Sequence, residues 1–222
     1  MWQAGWAGDI AWFQFGAVVK RSGGRGGQRN VGEYALHVSC PWRWVASSGF
    51  LRADDTSPGA ALQAQLFYLL NRHRQLVDRR QADLFSQVTI CDYIFEKDRI
   101  YACLNLDDNE LFIYQRLYDL LAKDIPAPDL VIYLQAPTAV LVKRLRAREK
   151  DPERSLLLPD EDYLRELNEA YHHFFFHYSA TSLLVIESSQ FRPQDDDEAL
   201  DALVKQIKTM GRGTRYYVPR TG

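Results

Sequence analysis

The sequence predicts an α/β fold with a parallel sheet, and three observations support this prediction. Three short, largely apolar runs, at 88–91, 129–134 and 182–187, have the pattern of strands that are buried on both faces. Longer segments with apolar residues at helical spacing lie between and after these runs. The chain has 222 residues, which is enough to bury the core of one such domain. Strands that alternate with helices are joined by right-handed crossovers, so neighbouring strands run parallel.

Five helices are predicted around these strands. The first has leucines on one face, including Leu62, Leu66 and Leu69. The second begins at Asp107 and ends before Pro126, because acidic residues favour a helix N-terminus and proline stops a helix. The predicted helices span residues 60–83, 107–123, 138–148, 160–178 and 195–210.

The first 58 residues differ in composition from the rest of the chain. All five tryptophans lie within the first 44 residues, and ten of the thirteen glycines lie within the first 59. The charge balance is +4 up to Ala53 and −6 in the remainder. We therefore place a boundary near Pro58. We expect an aberrant, poorly ordered N-terminal segment at 1–58, a domain at 59–210 and a tail at 211–222.

The composition argues against several classes of protein. A net charge of −2 is unlike the basic excess of a dedicated nucleic-acid binder. The three cysteines form no CxxC pair and no paired framework, which indicates a reduced protein. No apolar run approaches the roughly 18 residues that span a bilayer. We therefore expect a cytoplasmic protein without nucleic-acid or membrane partners.

The segment 87–102 contains the strongest candidates for a functional site. The strand at 88–91 is followed at once by Asp92, and an Asp98–Arg99 pair comes six residues later. A carboxylate at the C-terminal end of a parallel strand lies where open α/β sheets bind their ligands. Asp92, together with the Asp98–Arg99 pair beyond it, could bind a polar substrate and a metal-bound phosphate at the same time. The alternative is that Asp92 only caps a following helix.

The first predicted helix contributes a second pair of candidates. Gln65 and Arg72 are seven residues apart, so they share one face of the helix. A glutamine amide is both donor and acceptor, which suits the edge of a nucleobase. The alternative is a solvated polar face on an amphipathic helix.

The end of the third predicted helix is strongly basic. Arg144 and Arg148 are four residues apart and project from one face, and Lys150 and Arg154 follow in a polar segment. Clustered cations at a helix end suit a lid that neutralises charge on a transferred phosphate. The alternative is a solvated helix C-terminus, where the macrodipole favours basic residues.

Taken together, these features resemble the deoxynucleoside kinase family, most closely its bacterial deoxyadenosine and deoxyguanosine kinases. Five segments carry the resemblance in the family's order: LQAQLFYLLNRHRQL, DYIFEKDRIYA, PDLVIYLQAP, RLRAR and DYLRELNEAYHHFFFHY. The resemblance implies a P-loop NTPase-like, three-layer α/β/α fold whose N-terminal strands are missing or aberrant in this chain. It also implies an enzyme of nucleotide salvage that uses ATP and Mg²⁺. Such an enzyme transfers the γ-phosphate to the 5′-hydroxyl of a deoxynucleoside, with purines favoured.

The resemblance implies roles for residues around the nucleoside. Gln65 looks like the family's base-reading glutamine, Arg72 like the arginine behind it, and Asp98 like the substrate-pocket aspartate. Glu153 looks like the lid glutamate that reaches the sugar 3′-hydroxyl. Many relatives have an arginine at the position that Tyr93 occupies in this chain. The role of that arginine is therefore not assigned to Tyr93.

The resemblance implies a second set of roles around the phosphates. Arg144 and Arg148 look like the arginines that hold the transferred phosphoryl group. Lys150 and Arg154 belong to the lid. Asp92 looks like the acid that is associated with Mg²⁺.

The chain departs from the family at its N-terminus. The family's phosphate-binding loop has the form G-x-x-x-x-G-K-[S/T], and this chain contains no Gly–Lys dipeptide. The glycine-rich run at 23–27 lacks the lysine and the hydroxyl residue. The binding site for the ATP phosphates is therefore unknown. We expect that residues 1–58 are not the native N-terminus, as after a frameshift or a wrong start, and that this form is inactive.

Two other functions stay open. A non-catalytic nucleoside-binding protein, or pseudokinase, would keep the nucleoside pocket without an ATP site. A thymidylate-kinase-like enzyme would act on a nucleoside monophosphate, although Gln65 and the segment from Asp92 to Asp98 fit the nucleoside kinases better. The expected partners are a deoxynucleoside and ATP. The family's homodimers would use the helices at 60–83 and 107–123.

Overall fold

The described residues fall into two units, each with its own core. The computed structural model describes residues 16–21, 59–82, 88–91, 93–148, 159–190 and 197–219. Residues 18–128 belong to one unit, here called the helical unit. Residues 129–222, with Gly16 and Ala17, belong to the other, here called the sheet unit.

The helical unit contains three α-helices and a pair of short strands. Its elements are the larger part of β1 (Gly16–Arg21), from Val18 onward, with α1 (Ala60–Ala82), β2 (Val88–Cys91), α2 (Lys97–Asn105), α3 (Asp108–Leu121) and a 3-10 turn (Ala122–Asp124). α1 begins after Gly59, whose φ of +80° lies in the left-handed region that glycine adopts without strain. β1 and β2 are antiparallel, with Val18 opposite Cys91 and Arg21 opposite Val88.

The start of α3 is fixed by a capping box. The Asp107 carboxylate accepts hydrogen bonds from the backbone N–H groups of Asn109 and Glu110, both at 2.9 Å. The Glu110 carboxylate accepts in return from the backbone N–H of Asp107, at 3.3 Å. These bonds satisfy N–H groups that have no partner within the helix. The acidic start that the sequence predicted for this helix is confirmed.

Aromatic side chains from α2 and α3 form much of the core of the helical unit. Phe95, just before α2, stacks on Tyr118 of α3 with ring centroids 5.0 Å apart. Leu69 of α1, Ala102 of α2 and Tyr114 of α3 belong to the same buried cluster. Large aromatic side chains remove more apolar surface from water than other residues do, so this cluster fixes the three helices against one another.

The sheet unit contains three parallel strands and three helices. Its elements are β3 (Leu130–Gln135), α4 (Thr138–Arg148), α5 (Glu161–Phe176), β4 (Ser182–Glu187), α6 (Asp197–Lys208) and β5 (Thr214–Tyr217). β4 pairs with both β3 and β5. Leu130 lies opposite Ser182, and Gln135 lies opposite Glu187, so β3 and β4 end at the same edge.

The core of the sheet unit lies on β3 and β4 and on the helices beside them. The central residues of both strands are almost fully buried, as the continuous apolar runs predicted. A second buried cluster joins the end of β3 to α4 and α5, and it consists of Ala136, Leu141, Val142, Leu145 and Leu164. At the carboxyl edge, Ser188 donates to the backbone oxygen of Gln135 from its N–H, at 2.8 Å, and from its hydroxyl, at 2.9 Å.

The predicted elements from residue 60 onward are confirmed. All three strands are present, and the ends of the five helices differ from the prediction by no more than two residues. The parallel sheet is confirmed for β3, β4 and β5. No helix in the described ranges is long and apolar enough to cross a bilayer.

Three elements were not predicted, each for a physical reason. α2 buries Lys97 and Asp98 in its first turn, so its sequence has no clean apolar stripe. β5 lies in the segment predicted to be a tail, and its four residues alternate between exposed and half-buried positions. β1 lies in the segment that has no strand pattern, and its pairing with β2 is antiparallel rather than parallel. Residues 1–15 and 22–58 are outside the described residues, so the N-terminal boundary stays a prediction.

Candidate functional site

The helical unit contains a buried carboxylate with three hydrogen-bonding side chains around it. Asp98 is 0% exposed. Its Oδ1 accepts from Arg72 Nη1, and its Oδ2 accepts from Gln65 Nε2 at 2.9 Å and from the Tyr114 hydroxyl at 2.8 Å. These four residues, Gln65, Arg72, Asp98 and Tyr114, are here called the Asp98 cluster.

Three helices bring the Asp98 cluster together. Gln65 and Arg72 lie two turns apart on α1, and both point at the first turn of α2, where Asp98 lies. Tyr114 comes from the middle of α3. An aspartate in the first turn of a helix also interacts favourably with the helix dipole. The sequence therefore predicted three of the four residues, and the structure brings those three into direct contact.

The charge of Asp98 is balanced by Arg72. A buried carboxylate is costly unless it is paired and hydrogen-bonded. Arg72 makes a buried salt bridge with it. The guanidinium carbon of Arg72 also lies 5.8 Å from the centroid of the Tyr68 ring and 5.7 Å from that of Tyr93, at cation–π distances. The salt bridge and the two rings together fix the guanidinium group.

Tyr93 has a structural role in this arrangement. Its ring is buried beside Arg72, and its hydroxyl donates to Gln75 Oε1 at 3.0 Å. In this chain its ring restrains the Arg72 guanidinium without adding a second positive charge beside it.

The tyrosines around Asp98 keep their protons. Burial raises the pKa of Tyr68 to about 12; the charge of Arg72 opposes this rise, and the charge of Asp98 adds to it. Burial, followed by the charge of Asp98, also raises the pKa of Tyr114 well above its usual range. The Tyr114 hydroxyl is therefore a permanent donor to the carboxylate.

Tyr114 was not identified from the sequence. It lies in α3, and Tyr118, one turn later, is the other buried residue of that helix. The available signal was the hydroxyl itself, since a buried tyrosine usually has a hydrogen-bond partner. That rule does not say which partner, and α2, which carries the partner, was not predicted.

Arg144, the predicted phosphate arginine, lies in the sheet unit at the carboxyl edge of the parallel strands. Its guanidinium donates to the backbone oxygens of Ser188 and, at 3.0 Å, of Ser189. The turn after β4 is further held by Glu187 Oε1, which accepts from the backbone N–H of Ser189 at 2.8 Å. Ligands of open α/β sheets bind at this edge.

The other predicted site residues cannot be compared with the structure. Asp92, Lys150, Glu153 and Arg154 lie outside the described residues, and of Arg148 only the backbone, at the end of α4, is described. The described ranges contain no group of three or more His, Cys, Asp or Glu side chains that could hold a metal ion.

The sheet unit also contains a cavity of about 490 Å³ beside α5. Aromatic residues line much of it, among them Tyr133 and Phe175, whose rings stack 4.2 Å apart. The Tyr133 hydroxyl and His172 Nε2, both from lining residues, are buried without a hydrogen-bond partner among the described residues.

Comparison with known proteins identifies the family. Residues 54–211 match the profile of the deoxynucleoside kinases. This chain belongs to the deoxynucleoside kinase family. The match covers well over half of the chain and includes every residue of the Asp98 cluster. The family resemblance predicted from the sequence is thus confirmed.

Individual deoxynucleoside kinases are similar over part of their length. The chain is 31% identical over 112 residues to a deoxyguanosine kinase from Bacillus subtilis (strain 168), over 50% of this chain and 53% of that protein. It is 29% identical over 117 residues to a deoxyadenosine kinase from Dictyostelium discoideum, over 50% of this chain and 45% of that protein. The chain thus spans about half the length of these curated relatives.

A solved structure of a deoxynucleoside kinase has a similar fold. The deoxyadenosine kinase from M. mycoides with bound dATP matches with a TM-score of 0.52 and 21% identity, over 68% of this chain and 82% of that one. The match supports the predicted P-loop-type α/β fold, and it concerns the fold alone.

Proposed function

We propose that this chain binds a deoxynucleoside at the Asp98 cluster and that it is a kinase by lineage. The observation that carries the proposal is the direct contact among Gln65, Arg72 and Asp98. These are the three residues that the family resemblance assigns to the base pocket. In the proposed complex, Gln65 reads the edge of the base, while Asp98 and Arg72 hold Gln65 in place.

The proposed substrate class is the purine deoxynucleosides. The names of the two curated relatives, a deoxyguanosine kinase and a deoxyadenosine kinase, support this choice. The proposed reaction of the lineage is transfer of the ATP γ-phosphate to the nucleoside 5′-hydroxyl, in the cytoplasm and as part of nucleotide salvage. Catalysis in such a reaction consists mainly of positioning and charge neutralisation.

The proposed roles around the phosphates follow the family resemblance. Arg144 and Arg148 neutralise the transferred phosphoryl group, Lys150 and Arg154 close over it, and Glu153 binds the sugar. Mg²⁺ takes one or two protein carboxylates and completes its shell with phosphates and water, so Asp92 alone could supply the protein ligand. In an enzyme with an intact phosphate loop, Arg148→Ala is expected to lower kcat on the order of 100-fold.

We further propose that this form of the chain does not turn over ATP. Its 222 residues contain no G-x-x-x-x-G-K-[S/T] sequence. In this fold the backbone N–H groups and the lysine of that loop cradle the phosphates. The residues of the Asp98 cluster do not belong to that loop.

A titration with a matched control tests the nucleoside site. Calorimetry on the full chain should detect deoxyadenosine or deoxyguanosine, and Gln65→Leu should weaken that binding at least tenfold, which is the value of about one hydrogen bond. Gln63→Leu, on the exposed side of the same helix, should leave the affinity unchanged. Binding that is indifferent to Gln65 would refute the assignment of the pocket.

The same preparation tests the absence of turnover. Labelled ATP with Mg²⁺ should give no nucleoside monophosphate, and ATP–Mg²⁺ should not raise Tm. Monophosphate formation would contradict the proposal. Tight binding of a nucleoside monophosphate in place of the nucleoside would instead favour the thymidylate-kinase-like alternative.

We also propose a homodimer that uses α1 and α3. Exposed apolar side chains on both helices support it: Phe67 and Leu70 on α1, and Phe112, Ile113 and Leu120 on α3. Apolar side chains that are exposed side by side mark protein–protein interfaces, and Phe112 is 60% exposed.

A further inference from the structure

The cavity of the sheet unit lies between one face of the sheet and the end of α5. Tyr133, Val185 and Tyr216 are opposite one another on β3, β4 and β5, and all three line the cavity. They therefore mark a single face of the sheet. Most of the other lining residues come from the end of α5, where five of the six residues at 172–177 line the cavity. The cavity is thus built from regular elements of one unit.

The cavity has a buried floor and an open mouth. Tyr133 is 2% exposed and stacks on Phe175, whereas Phe176 and Tyr216 are 76% and 66% exposed. Its volume of about 490 Å³ is in the range of small-molecule sites, which are concave and lined mainly by apolar and aromatic side chains. Aromatic walls favour a flat ring, which stacks on their faces or meets their edges.

Two buried polar atoms of the lining residues have no partner among the described residues. They are the Tyr133 hydroxyl and His172 Nε2. Burial, with the charge of Glu187, raises the pKa of Tyr133 well above its usual range, so the hydroxyl keeps its proton and can donate. Burial lowers the pKa of His172, so the imidazole is neutral at pH 7, and Nε2 accepts or donates according to the tautomer. A ligand that bonds to these atoms removes the cost of leaving them unpaired.

The surroundings of the cavity disfavour an anionic ligand. None of the described residues that line it is a lysine or an arginine. The negative charge of Glu187 acts on both Tyr133 and His172. The end of α5 at Phe176 also carries the negative end of the helix dipole. A phosphate or carboxylate group would therefore enter the cavity without a compensating charge.

We infer that this cavity is a second binding site, which takes a neutral, flat nitrogen heterocycle of one or two rings. A ring nitrogen of the ligand accepts from the Tyr133 hydroxyl, another nitrogen meets His172 Nε2, and the aromatic walls cover the ring. The cavity belongs to the sheet unit, whereas the proposed nucleoside site belongs to the helical unit. The inference is therefore independent of the proposed function.

Two probes of nearly the same shape test the inference on the full chain. Benzimidazole has a ring nitrogen that accepts a hydrogen bond, and indole has a carbon at that position. A titration followed by NMR signals of the ligand should show saturable binding of benzimidazole. Tyr133→Phe removes only the hydroxyl, so it should weaken benzimidazole binding about tenfold, the value of one hydrogen bond. The affinity for indole should not fall in this variant.

Two control variants show which site the probe occupies. Tyr216→Phe removes a hydroxyl from another lining residue, one that is largely exposed, and it should change both affinities by less than about twofold. Gln65→Leu alters the proposed nucleoside site and should likewise leave benzimidazole binding unchanged. Loss of benzimidazole binding in Gln65→Leu would place the probe in the helical unit and overturn the inference.

A charged probe tests the inference without any variant. Benzimidazole-5-carboxylate adds one negative charge and should bind to the parent chain at least tenfold more weakly than benzimidazole. Equal binding of the two compounds would overturn the inference. So would the absence of saturable benzimidazole binding, as expected if side chains of the protein fill the cavity, or an equal loss of both probes in Tyr133→Phe. A loss in Tyr133→Phe that is confined to benzimidazole, with weak binding of the carboxylate, supports it.

Discussion

The candidate site of the helical unit and the aromatic cavity of the sheet unit bury polar side chains in opposite ways. In the helical unit, Asp98 has a donor for each carboxylate oxygen, and the Tyr114 hydroxyl is one of these donors. In the sheet unit, the Tyr133 hydroxyl and His172 Nε2 are buried without a partner among the described residues. A satisfied buried network specifies one arrangement, whereas an unsatisfied group costs free energy. The bonds of the Asp98 cluster therefore fix the geometry of the candidate site, whereas the two unpartnered groups beside the cavity fix none.

The largest expected effect is loss of the buried charge pair. Asp98→Ala leaves Arg72 buried without its partner, and breaking such a pair costs about 3–5 kcal/mol. The measurement is the free energy of unfolding in urea. Asp78→Ala, an exposed carboxylate on α1, is the control and should change stability by less than about 0.5 kcal/mol. Equal effects of the two variants would mean that Asp98 is not buried in solution.

A smaller loss is expected from the tyrosine that donates to this pair. Tyr114→Phe removes a hydrogen bond to a charged group, which contributes about 1.5–3 kcal/mol. The aromatic packing is kept, so the loss should appear as a lower urea midpoint with an unchanged m-value. A midpoint equal to that of the parent chain would show that the hydroxyl contributes nothing to Asp98.

The matching substitution in the sheet unit should have the opposite sign. Tyr133→Phe removes a buried hydroxyl that has no partner among the described residues, so the variant should be more stable, by about 1 kcal/mol. Urea unfolding of Tyr114→Phe and Tyr133→Phe side by side tests the comparison directly. If both variants lose stability, the hydroxyl of Tyr133 is satisfied by water in the cavity.

The smallest expected effect is on the pH dependence of stability. Burial lowers the pKa of His172, and this outweighs the charges of Glu169 and Glu187, which raise it. The unfolded chain, with a histidine pKa near 6.5, then takes up the proton first as the pH falls. Stability should therefore decrease as the pH falls from about 6.5 toward the lower pKa of the folded state.

His172→Gln should flatten this part of the stability curve. His177→Gln, at an exposed position at the end of α5, is the matched control and should leave the slope unchanged. The measurement is the free energy of unfolding at several pH values between about 5 and 7. A slope that persists in His172→Gln would assign it to another group.

The fold could be predicted where burial and sequence pattern agree. β3 and β4 are continuous apolar runs because both of their faces are covered, and α3 begins at an acidic pair that forms its cap. α2 could not be predicted, since Lys97 and Asp98 occupy positions that a simple pattern reserves for apolar residues. Buried charged side chains thus disturb the apolar pattern on which the prediction of a helix depends.

The candidate site could be predicted only in part. The spacing of Gln65 and Arg72 placed them on one face, and the family resemblance linked them to Asp98. The sequence gives no reason to choose Tyr114 over Tyr118 as a site residue. It does not show which of the two hydroxyls donates to a carboxylate on another helix. Such contacts depend on how the helices pack. Tyr114 lies 16 positions from Asp98 in the sequence, and Gln65 lies 33 positions from it.

The Asp98 cluster also has a consequence for how this protein can change by mutation. Arg72 and Tyr114 both donate to the buried carboxylate of Asp98, so a substitution at any one of the three removes a bond from a buried polar group. Compensating changes would have to arise together on three helices. Gln65 is different, because it shares its acceptor, Asp98 Oδ2, with the Tyr114 hydroxyl, so the carboxylate oxygen keeps one donor when Gln65 is replaced. New base preferences in this lineage are therefore expected to begin at position 65, while the other three positions are inherited as a set.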